Sequence, residues 1–155
     1  MKTKSFKTIL LTAILFISIN IFSQTGDKNY AEIHFYRVKQ SVISGATMME
    51  AKIKINEKEV GAFLNATKLT YKIYSQGTIK INCAGYAAGS PLGQPYVTTM
   101  EVKNGEVYHI ALTLSNMSGV KGIIMDAKEV KKMEKEKFVD QSEVEEDKAN
   151  PVIKK

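Results

Sequence analysis

The chain has 155 residues, 44% of them hydrophobic and 25% charged, a globular balance that excludes wholesale disorder and is long enough for one domain with its own core. A single cysteine excludes an internal disulfide framework and a cysteine-based zinc site. The formal net charge of +6 does not point to nucleic acid. Its cations alternate along strands and Arg37 is the one arginine, whereas a nucleic-acid footprint clusters its charge and adds arginine or aromatic contacts.

The first 23 residues read as an export signal. Lys2, Lys4 and Lys7 form a basic start with no acidic residue before Asp27, and Ile9–Phe22 is apolar except at Thr12, Ser18 and Asn20. Small Ser23 stands at the expected cut. The apolar run, roughly 14 residues, falls short of the ~20 that cross a bilayer as a helix. No cysteine follows it to accept a lipid, and nothing later is apolar enough to span a membrane. The processed chain is therefore expected in the periplasm, at the cell surface or secreted, with no integral membrane segment. Loss of the three leader lysines lowers its formal charge from +6 to +3.

Period-two alternation then dominates. Tyr30–Val38 places Ala31, Ile33 and Phe35 on one face, and Glu50–Ile55 places Ala51, Ile53 and Ile55 on one face with Glu50, Lys52 and Lys54 on the other. Asn56-Glu57-Lys58-Glu59 reads as a tight turn, after which Val60, Ala62 and Leu64 resume the apolar face. Leu69, Tyr71 and Ile73 alternate with polar neighbours up to Tyr74. Gln76-Gly77 turns the chain into Thr78–Ala84, where Ile79, Ile81 and Cys83 share a face. Tyr96–Lys103 and Val107–Leu114 flank Asn104-Gly105, a hairpin signal. Val120–Met125 reads as an eighth strand. Strands at this spacing, joined mostly by short turns, predict an all-β fold: an antiparallel two-layer β-sandwich of seven or eight strands with one C-terminal α-helix.

The helix is expected over 126–138. Asp126 can cap its free amides, Glu129 sits at the reciprocal capping-box position, and Ala127, Val130, Met133 and Phe138 form one narrow apolar stripe. The domain thus spans 24–138, and 139–155 is polar and expected to form a flexible tail. Two longer connections, Lys39–Met48 and the Gly- and Pro-rich Gly85–Pro95, are expected as loops at the ends of the sandwich.

The opening Phe35-Tyr36-Arg37, the run Ile53-Lys54-Ile55-Asn56-Glu57-Lys58-Glu59-Val60-Gly61, the Tyr71-x-Ile73 strand, Gly77 before Thr78-Ile79-Lys80-Ile81, and Val102-Lys103-Asn104-Gly105-Glu106-Val107-Tyr108 follow in an order that resembles the bacterial domain-of-unknown-function 2846 family. Its members are exported or lipid-anchored domains carrying an N-G-K-x-V-G turn and an x-x-G-x-x-Y hairpin. The resemblance covers about residues 30–138 and departs at Glu57, which replaces the turn glycine, and in the missing lipid-acceptor cysteine. It implies a β-sandwich without an established activity and transfers no catalytic residue.

Candidate chemistry is sparse. His34 and His109, the two histidines, fall by alternation on faces opposite the apolar sets. They could approach each other if their strands were neighbours, but two ligands without a third make a thin metal site. Cys83 shares the face of Ile79 and Ile81 and reads as a core residue. No serine-nucleophile elbow, phosphate loop or paired-carboxylate pattern is present. Arg37, where the first strand meets its loop, is a candidate clamp for a carboxylate or backbone carbonyl, with Tyr36 beside it. No catalytic residue, metal or cofactor is expected. The sequence thus predicts an exported, non-catalytic module that binds or has a structural role in the bacterial envelope, its partner an envelope protein or a small ligand. The alternative is a carrier of a small apolar ligand such as a lipid in a barrel-like interior.

Overall fold

A strand with one apolar face must hide that face from water, and two such sheets do so most simply against each other. The computed structural model describes residues 28–39, 49–115, 119–141 and 143–146. The expected export signal, residues 40–48 of the first long loop, and the end of the tail lie outside the described residues.

In chain order the elements are β1 (Ala31–Arg37), β2 (Glu50–Ile55), β3 (Lys58–Phe63), β4 (Thr67–Ile73), β5 (Gly77–Ala87), β6 (Ser90–Pro91), β7 (Tyr96–Val102), β8 (Val107–Ser115), β9 (Gly119–Ile124), α1 (Ala127–Met133), β10 (Val139–Asp140) and β11 (Val144–Glu145). One sheet has the order β10-β4-β1-β8-β9, with β11 also on β4; the other has the order β3-β2-β5-β6, with β7 also on β5. The expected all-β sandwich with a C-terminal helix is what forms. The inner faces are those that alternation selects: Ala31, Ile33 and Phe35, Ala51, Ile53 and Ile55, and Ile79, Ile81 and Cys83 are all fully buried. Phe35 meets Phe63 across the core edge to face, ring centroids 5.8 Å apart. Each buried aliphatic or aromatic side chain of this kind contributes about 1.5–3 kcal/mol. The strands form two separate sheets around this filled interior and do not close into the barrel that the carrier alternative requires.

The sheets approach most closely where β9 crosses β5. A Cβ added to Gly122 would lie 2.8 Å from Cys83 Sγ, and one on Gly85 would lie 2.9 Å from Gly119 Cα. Only hydrogen side chains allow that contact.

Several local expectations are corrected. β1 runs parallel to β8, pairing Glu32 with Val107 through Arg37 with Leu112, against the expectation of wholly antiparallel strands. Short turns exclude parallel pairing between sequence neighbours, but these two strands are separated by the entire second sheet, which supplies the crossover. Asn104-Gly105 is a tight turn, with Gly105 at φ 81°, yet it joins no hairpin: β7 pairs with β5 and β8 with β1 and β9. The corner is fixed instead by the Gly105 amide, which donates to the Tyr30 carbonyl (2.9 Å).

A register shift opposite Ile53/Lys54 inserts an extra residue in β3. This β-bulge changes the phase of alternation, so Phe63 is buried and Leu64 is 58% exposed. The expected loop Gly85–Pro95 is partly strand. β5 continues to Ala87, turns at Ala88-Gly89 (φ 49° and 81°) and returns as β6.

The helix covers 127–133 instead of 126–138. Its start is as expected, with Asp126 accepting from the amides of Lys128 and Glu129 and Glu129 returning a bond to the Asp126 amide. After Glu134 the turns tighten, Lys135 donating to Lys132 and Glu136 to Met133, and the helix unwinds. Finally, residues 139–141 and 143–146 do not form a free tail. Val139 and Gln141 donate to the carbonyls of Ala66 and Lys68, and Glu146 donates to that of Lys72, so the segment straps the open edge of β4.

Candidate functional site

Arg37 and Tyr36 are neighbours in sequence and therefore point to opposite faces of β1. Arg37 lies on the core side, fully buried. Its guanidinium donates through Nη1 to the carbonyl of its register partner Leu112 (3.5 Å), and burial depresses its pKa. It is thus placed as a tie between two strands, and the structure does not bring it together with Tyr36 as one clamp.

Tyr36 is on the outer face, where the unforeseen parallel pairing has its main consequence. His34 and His109 are direct register partners, with ring centroids 5.1 Å apart edge to face. Tyr36 stacks on His109 at 5.8 Å and 20°. Its hydroxyl lies 2.9 Å from His109 Nδ1 and 3.5 Å from His34 Nδ1. On the far side of His34, Nε2 is 3.1 Å from Glu32 Oε2, and Glu32 also accepts from Lys28 (2.7 Å). Phe138 closes the cluster with its edge on the Tyr36 ring at 5.5 Å, and Lys68 Nζ lies 5.7 Å above that ring.

The cluster is largely removed from water: Tyr36 is 3% exposed. Burial, with the carboxylates of Glu134 and Asp140, raises the Tyr36 pKa. Burial and the neighbouring His34 lower that of His109. The bond from Lys28 holds the Glu32 carboxyl low. Among the described residues no three His, Cys, Asp or Glu side chains converge on one point. Cys83 sits in the core as expected, its thiol pushed up to about 12 by burial, so it is no nucleophile at neutral pH.

The helix lies over this outer face and leaves a recess on each side. One, of about 400 Å³, runs between α1, the turn that follows it and the ends of β8 and β9, with an apolar lining of Val38, Ala111, Ile123, Met125, Met133 and Phe138. Lys39, Lys132 and Lys137 stand at its rim with Glu129 and Glu136. The other, of about 410 Å³, is lined by His109, Val107, Met125, Val130, Lys131 and Glu134. No residue of α1 is buried, so the helix roofs these recesses without filling them. Sequence reading did not find the groove, because it depends on the turn at 134–138 that swings Phe138 out of the helical stripe and onto Tyr36. Among the described residues no helix is long and apolar enough to cross a membrane. The sequence matches no protein-family model, no curated protein and no solved structure.

Proposed function

We propose that this chain is an exported, non-catalytic binding module of the cell envelope, and that it binds a single-chain amphiphile with an anionic head in the groove beneath α1. The groove carries the reading. Its volume of about 400 Å³ lies within the range of small-molecule sites, which are mostly apolar with a few polar groups to orient the ligand. Ala111, Ile123, Met125 and Phe138 offer the apolar wall, and Lys39, Lys132 and Lys137 the cations for a carboxylate or phosphate head. The lipid-carrier alternative of the sequence reading thereby moves from the interior of the sandwich to its outer face. The basic start and apolar run of residues 1–23, read as an export signal, motivate the envelope setting.

Displacement of a dansyl-labelled fatty acid by decanoate tests the reading. Saturable displacement is expected, weakened at least about tenfold by Ile123→Glu, which places a charge on the apolar wall at a cost of more than 1.4 kcal/mol. Ile123 is 36% exposed, so the fold tolerates the change. An unsaturable probe signal would overturn the proposal. So would a dimer that Ile123→Glu dissociates, which assigns the groove to a second copy.

A further inference from the structure

We propose that His34, His109 and Tyr36 form a site for a divalent copper ion, bound through both Nδ1 atoms and the phenol oxygen. The inference stands apart from the amphiphile groove and rests on the direction of the electron pairs. Glu32 accepts from His34 Nε2 at 3.1 Å, which in the neutral ring leaves Nδ1 as a lone pair aimed at the Tyr36 oxygen. A hydroxyl has one proton to give. The 2.9 Å distance directs it to His109 Nδ1, and His34 Nδ1 then faces oxygen at 3.5 Å with no proton between them. In the other tautomer His109 donates to Tyr36, and the hydroxyl reaches His34 across a distance long for such a bond. In both arrangements the two Nδ1 atoms lie within 3.5 Å of the one phenol oxygen.

The two oxygen–nitrogen distances, 2.9 and 3.5 Å, suit neighbouring ligands of one ion: bonds of about 2.0 Å put their ends ~3 Å apart at right angles and ~3.5 Å apart at a wider angle. The carboxylate behind His34 is the partner that metal-bound imidazoles ordinarily have, fixing the tautomer and raising ring basicity. Two imidazoles and an oxygen donor suit copper(II), which heads the divalent affinity order and takes tetragonal nitrogen and oxygen sites. On binding, the copper–oxygen bond forms, the Tyr36 O–H proton leaves to solvent, and no electron is transferred. Of the three ligands, His109 also lines the recess that Lys131 and Glu134 border.

The test is titration of the untagged protein with copper sulfate alone, followed by electron paramagnetic resonance and visible absorption. One equivalent is expected to bind, with imidazole nitrogen hyperfine structure and a phenolate-to-copper charge-transfer band. Tyr36→Phe keeps the stacked ring and should retain weaker copper binding without that band. Glu32→Gln should weaken binding about 10- to 100-fold while preserving the spectrum. His34→Gln, at a position 18% exposed in its side chain, provides a ligand deletion that the fold tolerates, and His109→Ala is the second. Copper binding that survives both histidine variants, a band that survives Tyr36→Phe, or no stoichiometric uptake would each overturn the proposal.

Discussion

Gly122 of β9 stands so close to Cys83 of β5 that a methyl group on the glycine would lie 2.8 Å from the sulfur and 3.3 Å from Ile110 Cγ2. This is where the two sheets press together, and both neighbours are fully buried. Gly122→Ala is therefore expected to destabilise the domain by about 1–3 kcal/mol through overpacking. The strain depends on the sulfur, so the same change in a Cys83→Ala background should cost less. A double-mutant cycle by urea denaturation should show a coupling of about 0.5–3 kcal/mol. Additive effects would mean that the sheets separate easily at this point.

The buried thiol also makes stability depend on pH. Its folded-state pKa rises from an ordinary 9.0 to about 12 because burial disfavours the thiolate. Above the ordinary value the unfolded chain loses this proton while the folded chain keeps it. The folded state then binds more protons, and by linkage stability falls as pH rises. The contribution is fully present below pH 9 and is lost between 9 and about 12. Denaturation midpoints measured across that interval should fall less steeply for Cys83→Ala than for the parent. Equal slopes would show that the thiol does not contribute.

Which parts of this architecture were legible in the sequence follows from the range of the forces involved. Alternation and helix capping are local rules: the first locates Ile53, Ile81 and Cys83 in the core, and the second locates Asp126 at the head of the helix, without any knowledge of partners. Pairing is not local. Nothing near His34 or His109 says that their strands lie side by side in parallel, because that neighbourhood is created by the second sheet folding between them. The same is true of Phe138, whose place against Tyr36 depends on where the helix gives out. Alternation puts Leu64 on the wrong face for a smaller reason: one inserted residue at the β3 bulge reverses every later side chain of that strand.

The β2–β3 hairpin carries a strain that a single substitution can remove. Asn56 and Glu57 both adopt positive φ, 45° and 71°, as the two-residue turn that fits sheet twist demands. Asparagine tolerates this region, whereas a longer side chain is disfavoured there. Glu57 gains in return a 3.3 Å ion pair with Lys80 and a 3.1 Å bond from Asn82, both at the solvent-exposed surface, where such contacts contribute little. Glu57→Gly is expected to raise Tm by a few degrees, whereas Glu57→Ala, which loses the contacts and keeps the strain, should not. A scanning calorimetry trace in which the glycine variant melts below the parent would show that the surface contacts outweigh the backbone strain.

Glu146 anchors the strap that closes the β4 edge. It is 3% exposed, and its Oε2 accepts from the amides of Tyr74 (2.7 Å) and Ser75 (3.0 Å) while Oε1 accepts from Ser75 Oγ (3.2 Å). These bonds satisfy two backbone donors at the end of β4, where the chain leaves one sheet for the other. Bonds to a charged acceptor contribute about 1.5–3 kcal/mol, and a buried amide left without an acceptor costs a similar amount. Glu146→Ala should therefore destabilise by about 2–3 kcal/mol. Glu143, which pairs with Lys72 nearby, has a side chain 49% exposed, and Glu143→Ala should cost less than ~1 kcal/mol. Amide hydrogen exchange separates a local role from a global one. If the strap acts as a latch, Glu146→Ala should accelerate exchange at Tyr74, Ser75 and the Lys72-bonded amide of residue 146 well beyond the change in the core strands. A uniform acceleration across β1 and β5 would instead make the strap part of the cooperative fold. No change at Tyr74 and Ser75 would detach Glu146 from them altogether.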